Sequence, residues 1–143
     1  MHVFKENIRS RYGKFSSALG AESSDKVESA AFVDSKDYDL IVGQGIYSNC
    51  SSGTTLTLTM LQATDAAGGG SKTITGASAT ARGTGVTDVG VVTAQVRPAQ
   101  LDIAGGFYYV GVRLDTSQGN GTETVQTVLH QCRGRFGQAT PPA

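Results

Sequence analysis

Four stretches of this sequence carry residue types that could do chemistry. His130 and Cys132 stand two apart, which on a strand is one face. A zinc ion needs four such ligands, or three and a water. The second histidine, His2, and the second cysteine, Cys50, lie far off in sequence, so no metal site is expected. A Ser-His-Asp triad would have to use one of the two histidines, and no Gly-x-Ser-x-Gly turn presents a serine. The run GGGSKT at 68–73 has the composition of a phosphate-binding loop. That loop requires glycine directly before the lysine and again six residues before it, where this chain has Ser71 and Ala66. The following TITG is strand-like, so the run is expected to be a hairpin turn. In DLIVGQGIYS, Gly43 and Gly45 could begin a dinucleotide fingerprint, but its third glycine would fall at Ser48, and a turn between two strands is expected. Paired carboxylates remain. Asp65, Asp88, Asp102 and Asp115 lie mainly in polar or turn segments, the place of turn-forming and solvated acids. No catalytic set emerges. The expectation is a non-enzymatic binding or structural module with no cofactor.

The elements that would carry these residues are short strands. Of 143 residues, 38% are hydrophobic and 17% charged, with 19 glycines, many Thr and Ser, and no Trp. Such a chain suits twisted strands and tight turns; helical domains are richer in Leu, Glu, Lys and Arg. Twelve basic residues balance twelve acidic ones, so no direct nucleic-acid binding is expected. No apolar run reaches the roughly 20 residues of a membrane helix, and the N-terminal MHVFKENIRSRYGKF lacks the apolar centre of a secretory signal. Two cysteines without an export signal are read as free thiols.

The first residues differ from the rest. Lys5, Arg9, Arg11 and Lys14 sit among Val3, Phe4, Ile8, Tyr12 and Phe15, as in an arm that holds a partner. Residues 1–24 are therefore read as arm and linker, 25–137 as the folded domain and 138–143 as a flexible tail. From residue 37 the period is two. Tyr38, Leu40 and Val42 share one face; Leu56, Leu58 and Met60 another, with Thr55, Thr57 and Thr59 opposite. Val92 with Val96, Val110 with Val112, and Val125 with Leu129 repeat the pattern. These residues, from Leu40 to Leu129, are the expected core. Gly-rich segments punctuate the runs: GQG, SSG, AAGGG, RGTGVTDVG, AGG and SQGNG. Seven or eight strands so separated predict an all-β fold, an antiparallel β-sandwich or jelly roll.

Three segments in this order resemble capsid cement (decoration) proteins of tailed bacteriophages: LTLTMLQATDAAGGGSKTITG, VVTAQVRPAQLDIAGGFYYVGVRLDT and TVQTVLHQCRGRF. The resemblance covers roughly residues 38–136 and consists of strand and turn residues. It implies a β-sandwich made in the bacterial host cytoplasm and bound to the outside of the capsid, with the major capsid protein as partner. It also implies self-association, as a homotrimer in preference to a homodimer, and no membrane. The arm would then clamp neighbouring subunits through Phe4, Lys5, Ile8, Arg9, Arg11, Tyr12 and Phe15, and removing residues 1–15 would leave the sandwich folded. Another virion part (connector, tail or baseplate protein, head fibre) would look much the same. A carbohydrate-binding sandwich is the reading from a different class. It usually stacks Trp or Tyr on one face, whereas this chain has no Trp, and Tyr108 and Tyr109 alternate.

Overall fold

Pairing in this chain is nested. The computed structural model describes residues 8–17, 26–28, 31–85, 89–117 and 123–133, with 11–17 and 26–28 described by their backbone. Its strands are β1 (Ile8–Ser17), β2 (Lys26–Glu28), β3 (Val33–Asp34), β4 (Leu40–Ser48), β5 (Thr55–Ala63), β6 (Lys72–Arg82), β7 (Val89–Val96), β8 (Tyr109–Thr116) and β9 (Thr124–Cys132). The innermost hairpin is β5 with β6. Around it β4 pairs with β7, β2 and β3 pair with β8, and β1 pairs with β9, all antiparallel. A long double ribbon of this kind closes by rolling up, which adds the β4–β9 and β5–β8 ladders. The result is two sheets: sheet A in the order β1-β9-β4-β7 and sheet B in the order β2-β8-β5-β6, with β3 also on β8. Because β2 and β3 are successive pieces along one partner, the ribbon has eight strand positions. It is an antiparallel β-sandwich of jelly-roll topology, as the strand pattern predicts.

The core lies between the sheets. Leu56, Leu58, Met60, Val92, Val96, Val110, Val112, Val125 and Leu129 are all buried there, in line with their alternation. Leu40 is a correction. It is half-buried on the outer face of sheet A, and Ile41 takes the inner position. The glycines set this phase. With Ile41 inward, Gly43 and Gly45 also face the core, and the polar Gln44 stays out. A Cβ on Gly43 would stand 2.5 Å from Met60 Sδ and 3.1 Å from Val112 Cγ2, and one on Gly45 would stand 3.0 Å from Leu114 Cδ1. The GQG segment is therefore mid-strand and not the expected turn. Its glycines are the places where sheet B side chains meet the backbone of sheet A.

The GGGSKT run does form the β5–β6 hairpin. Asp65 Oδ1 accepts from the amides of Ala67 and Gly69, both at 2.9 Å, and Thr64 N donates to Gly69 O. Gly68 and Gly70 take positive φ, 89° and 58°, which glycine adopts at no steric cost. Two buried amides make long-range ties, the first between the sheets and the second from β5 to the connection between β7 and β8. Gln131 Nε2 donates to the Asp34 carbonyl at 2.7 Å, and Gln62 Oε1 accepts from Asp102 N at 2.8 Å. Cys132 and Cys50 lie near opposite ends of β4, roughly 26 Å apart by strand rise, and both are free thiols.

The N-terminal region needs a second correction. Ile8–Ser17, placed in the arm by its composition, forms β1 and runs along β9 from Ile8 opposite Cys132 to Ser17 opposite Thr124. Alternating basic and apolar residues suit an edge strand as well as an arm. Cutting at residue 15 would strip most of a strand from sheet A, so the sandwich would not be left whole.

Two core substitutions should move stability in opposite directions. Gly45→Val drives a branched side chain into Leu114 and Val92 and should cost about 1–3 kcal/mol. Thr127 is fully buried with no hydrogen-bond partner for its hydroxyl among the described residues, so Thr127→Val should stabilise by about 1 kcal/mol. Urea midpoints of the two variants against the parent check both signs.

Candidate functional site

The two outer faces of the sandwich differ in charge. On sheet A the register places on the outer face Thr124, Gln126, Val128, His130 and Cys132 of β9. Beside them lie Leu40, Val42, Gln44, Ile46 and Ser48 of β4, then Val89, Val91, Thr93 and Gln95 of β7. None of these is an acid, a lysine or an arginine. Toward β7 the face turns apolar and open: Ile46 is 38% exposed, Val91 54% and Val89 72%. These are large hydrophobic exposures for an edge strand, and Ile46 and Val91 are direct register partners.

A polar row crosses the same face nearer β1. Ser10 Oγ stands 2.8 Å from His130 Nδ1, and Gln44 Oε1 stands 2.9 Å from His130 Nε2. An amide oxygen only accepts, so Nε2 carries the proton and the Ser10 hydroxyl donates to Nδ1. The histidine thus has the serine neighbour that a nucleophilic pair would need. Its other partner is a neutral amide in place of a carboxylate, which cannot offset charge on the ring as an aspartate does. The row instead latches β1, β9 and β4 to one another. Beside it, burial pushes the Cys132 thiol up, away from the reactive thiolate. Among the described residues no three His, Cys, Asp or Glu come together to hold a metal ion.

Sheet B presents a different surface. Arg113 Nε donates to Asp115 Oδ2 at 3.0 Å on its outer face, in the rows of Thr59 and Thr57. Farther along, Phe32 lies against Gly111 and Gly68 and packs with Leu61, Ala63 and Tyr109, so this stretch is covered by the chain itself. Tyr109 is taken up in that packing and Tyr108 lies under Lys36 Nζ, 4.7 Å from the ring centre. At one end of the sandwich Lys72 pairs with Asp102 at 2.6 Å and sits 3.9 Å above the Phe107 ring. The lysine bond, and then the Gly105 amide, hold the Asp102 carboxyl below the usual carboxylate range.

The site residues expected from sequence are divided by this arrangement. Phe4 and Lys5 lie outside the described residues. Ile8, Tyr12 and Phe15 stand opposite Cys132, Val128 and Gln126, in the rows of the outer face of sheet A. Arg9 and Arg11 stand opposite Gln131 and Leu129, in the alternate rows, and Arg9 is exposed. The residues that sequence reasoning missed are Ile46, Val89 and Val91. Their signal was present: each is an apolar residue out of phase with the inward set of its own strand.

No protein-family model and no curated protein matches this sequence. Among solved structures, similarity extends to the infectious bursal disease virus Gx strain at a TM-score of 0.46 and 11% identity, over 90% of this chain and 32% of that one. The chain thus spans about a third of that protein's length. An empty virus-like particle of cowpea mosaic virus gives 0.47 and 9%, over 93% and 87% of the two chains. A CBM4 structure gives 0.41 and 12%, over 91% and 78%. Likeness at this level says nothing about binding or activity.

Asp102 yields a pH prediction. A carboxyl whose folded pKa lies below its unfolded value adds stability that is present above the ordinary carboxylate range and is lost as pH falls through the lowered value. Asp102→Asn should therefore lower the urea midpoint at about pH 7, with the gap to the parent closing as pH falls below the ordinary carboxylate range and through the lowered value. Added salt should narrow the gap as well, since both partners are nearly half exposed.

Proposed function

We propose that this chain is a structural virion protein that binds the outer surface of a phage capsid and stabilises contacts between major capsid protein subunits. The observation that carries this reading is the outer face of sheet A, uncharged over β9, β4 and β7 and open and apolar toward β7. A face with no counter-charges to desolvate is suited to broad, flat contact with another protein. Each such contact need only be modest, because a shell repeats it many times and multivalency multiplies the effect. The resemblance of the central and C-terminal segments to cement proteins supports the same reading. In this proposal the binding region moves from a loose arm to the face that β1 adjoins, where Ile8, Tyr12 and Phe15 fall in the outer-face rows. The protein acts by adding contacts, in several copies, without a cofactor.

Co-sedimentation with expanded, undecorated capsids tests the proposal. Binding should saturate at a fixed ratio to capsid protein. Gln126 lies in the outer-face row of Ile46 and Val91, opposite Ile46 on one side and Phe15 on the other. Gln126→Lys should weaken binding at least ~10-fold, about 1.4 kcal/mol, with an unchanged urea midpoint. A parent protein that stays in the supernatant at every ratio would refute the reading.

A further inference from the structure

Four strand edges bound the two sheets, and three of them carry features that discourage pairing with another chain. The β1 edge bears Arg9, Arg11 and Lys14, and its register slips between Tyr12 and Phe15. The β6 edge begins at Lys72, ends at Arg82, and its register with β5 slips between Thr59 and Leu61. The remaining edge of sheet B is broken into the three residues of β2 and the two of β3. Charge, irregularity and shortness are the usual protections of an edge.

The β7 edge has none of them. It is eight residues long, VGVVTAQV, with no charge and no proline. Its register with β4 is unbroken from Ile41 opposite Val96 to Ser48 opposite Val89. Among the described residues no backbone hydrogen bond reaches it from the side away from β4. A cleft of about 300 Å³ lies along it, between the small residues Gly76, Ala77 and Ser78 of β6 and Thr93, Ala94 and Gln95 of β7. The backbone groups of this edge thus border an open cleft with β6 on its far side and two exposed valines beside it.

We propose that β7 is a self-association edge, where two copies of this chain pair their β7 strands antiparallel about a two-fold axis. The two four-stranded sheets A then join into one continuous sheet. Charge selects the occupant. A partner strand bearing charge would find no counter-charge on β7 or on the neighbouring outer face of β4, whereas a second copy brings the same neutral surface and meets no repulsion. Parity selects the register. Residues directly opposite in an antiparallel pair share a face, so the axis must pass beside a residue and not between two. With the axis beside Val92, residues 89–95 all pair: Val91 stands opposite Thr93 of the partner subunit, and Val89 opposite the partner subunit's Gln95. Val91 gains Thr93 of the partner subunit as a second β-branched cross-strand neighbour beside its own Ile46, and Val89 packs on the side-chain stem of the partner subunit's Gln95. The order is two-fold, in place of the three-fold that the resemblance implies. The inference rests on the edge alone and not on capsid binding.

Light scattering on the full chain across a concentration series tests it. The expected result is a monomer–dimer equilibrium. Val91 is exposed, so Val91→Lys should leave the far-ultraviolet spectrum unchanged and raise the dimer dissociation constant at least ~10-fold, through two like charges set diagonally across the axis with no counter-charge at the seam. Hydrogen exchange on the parent gives a readout free of mutation: amides within 89–96 should slow as concentration rises. A parent that is monomeric at ~100 μM, where dimers of useful affinity would be populated, overturns the proposal. So does a trimer, an equilibrium that Val91→Lys does not shift, or exchange in 89–96 that ignores concentration. A monomer that still saturates capsids removes this inference and leaves the capsid reading standing; a dimer that ignores capsids does the reverse.

Discussion

The close approach of two sheets at a strand without side chains governs this molecule. In β4 the inward positions between Ile41 and Tyr47 are Gly43 and Gly45, and the space their side chains would fill belongs to Met60, Val112 and Leu114 of the opposite sheet. Interiors pack at near-crystalline density, so either the glycines or the large residues facing them would have to change together. The same strand is central in sheet A, with β9 on one side and β7 on the other. Its register therefore fixes which residues of three strands look inward, and by default which look outward. The composition of the outer face of sheet A follows from a packing requirement on its inner face.

The two outer faces then take different fates. Sheet B is partly covered by its own chain, with Phe32 laid over Gly111, and where it is open it carries the Arg113–Asp115 pair. The outer face of sheet A is open toward β7 and uncharged over β9, β4 and β7. Its histidine is held on both ring nitrogens, by Ser10 and Gln44, and so spans β1, β9 and β4. Such a row stiffens the surface laterally. In the proposed capsid contact, a neutral, partly apolar sheet already fixed by its ladders would lose little conformational entropy on docking.

Edges follow the same division of labour. Basic residues that look, in one dimension, like an arm reaching for a partner sit on β1, where they end a sheet. Meanwhile the strand with the blandest sequence, VGVVTAQV, is the one left open. Absence of charge on an edge is as specific a property as its presence, because it admits only surfaces that need no counter-charge.

The sequence by itself determined the class of fold, the hairpin at Asp65–Gly70 and most of the core, because period-two alternation and turn residues are local properties. Leu56, Leu58 and Met60 face inward for reasons visible in TTLTLTM alone. Tertiary structure decided what depends on partners distant in the chain. Whether LIVGQGIY is two strands or one, and whether Leu40 or Ile41 is inside, is settled by Met60 and Leu114 arriving from sheet B. Whether Ile8–Ser17 is arm or strand is settled by β9, more than a hundred residues later. The outer-face site was invisible for the same reason. Ile46 and Val91 stand out one by one as out-of-phase apolar residues, but they and Gln126 become neighbours only through register, and register is fixed by the long-range closure of the rolled ribbon, which no local pattern encodes.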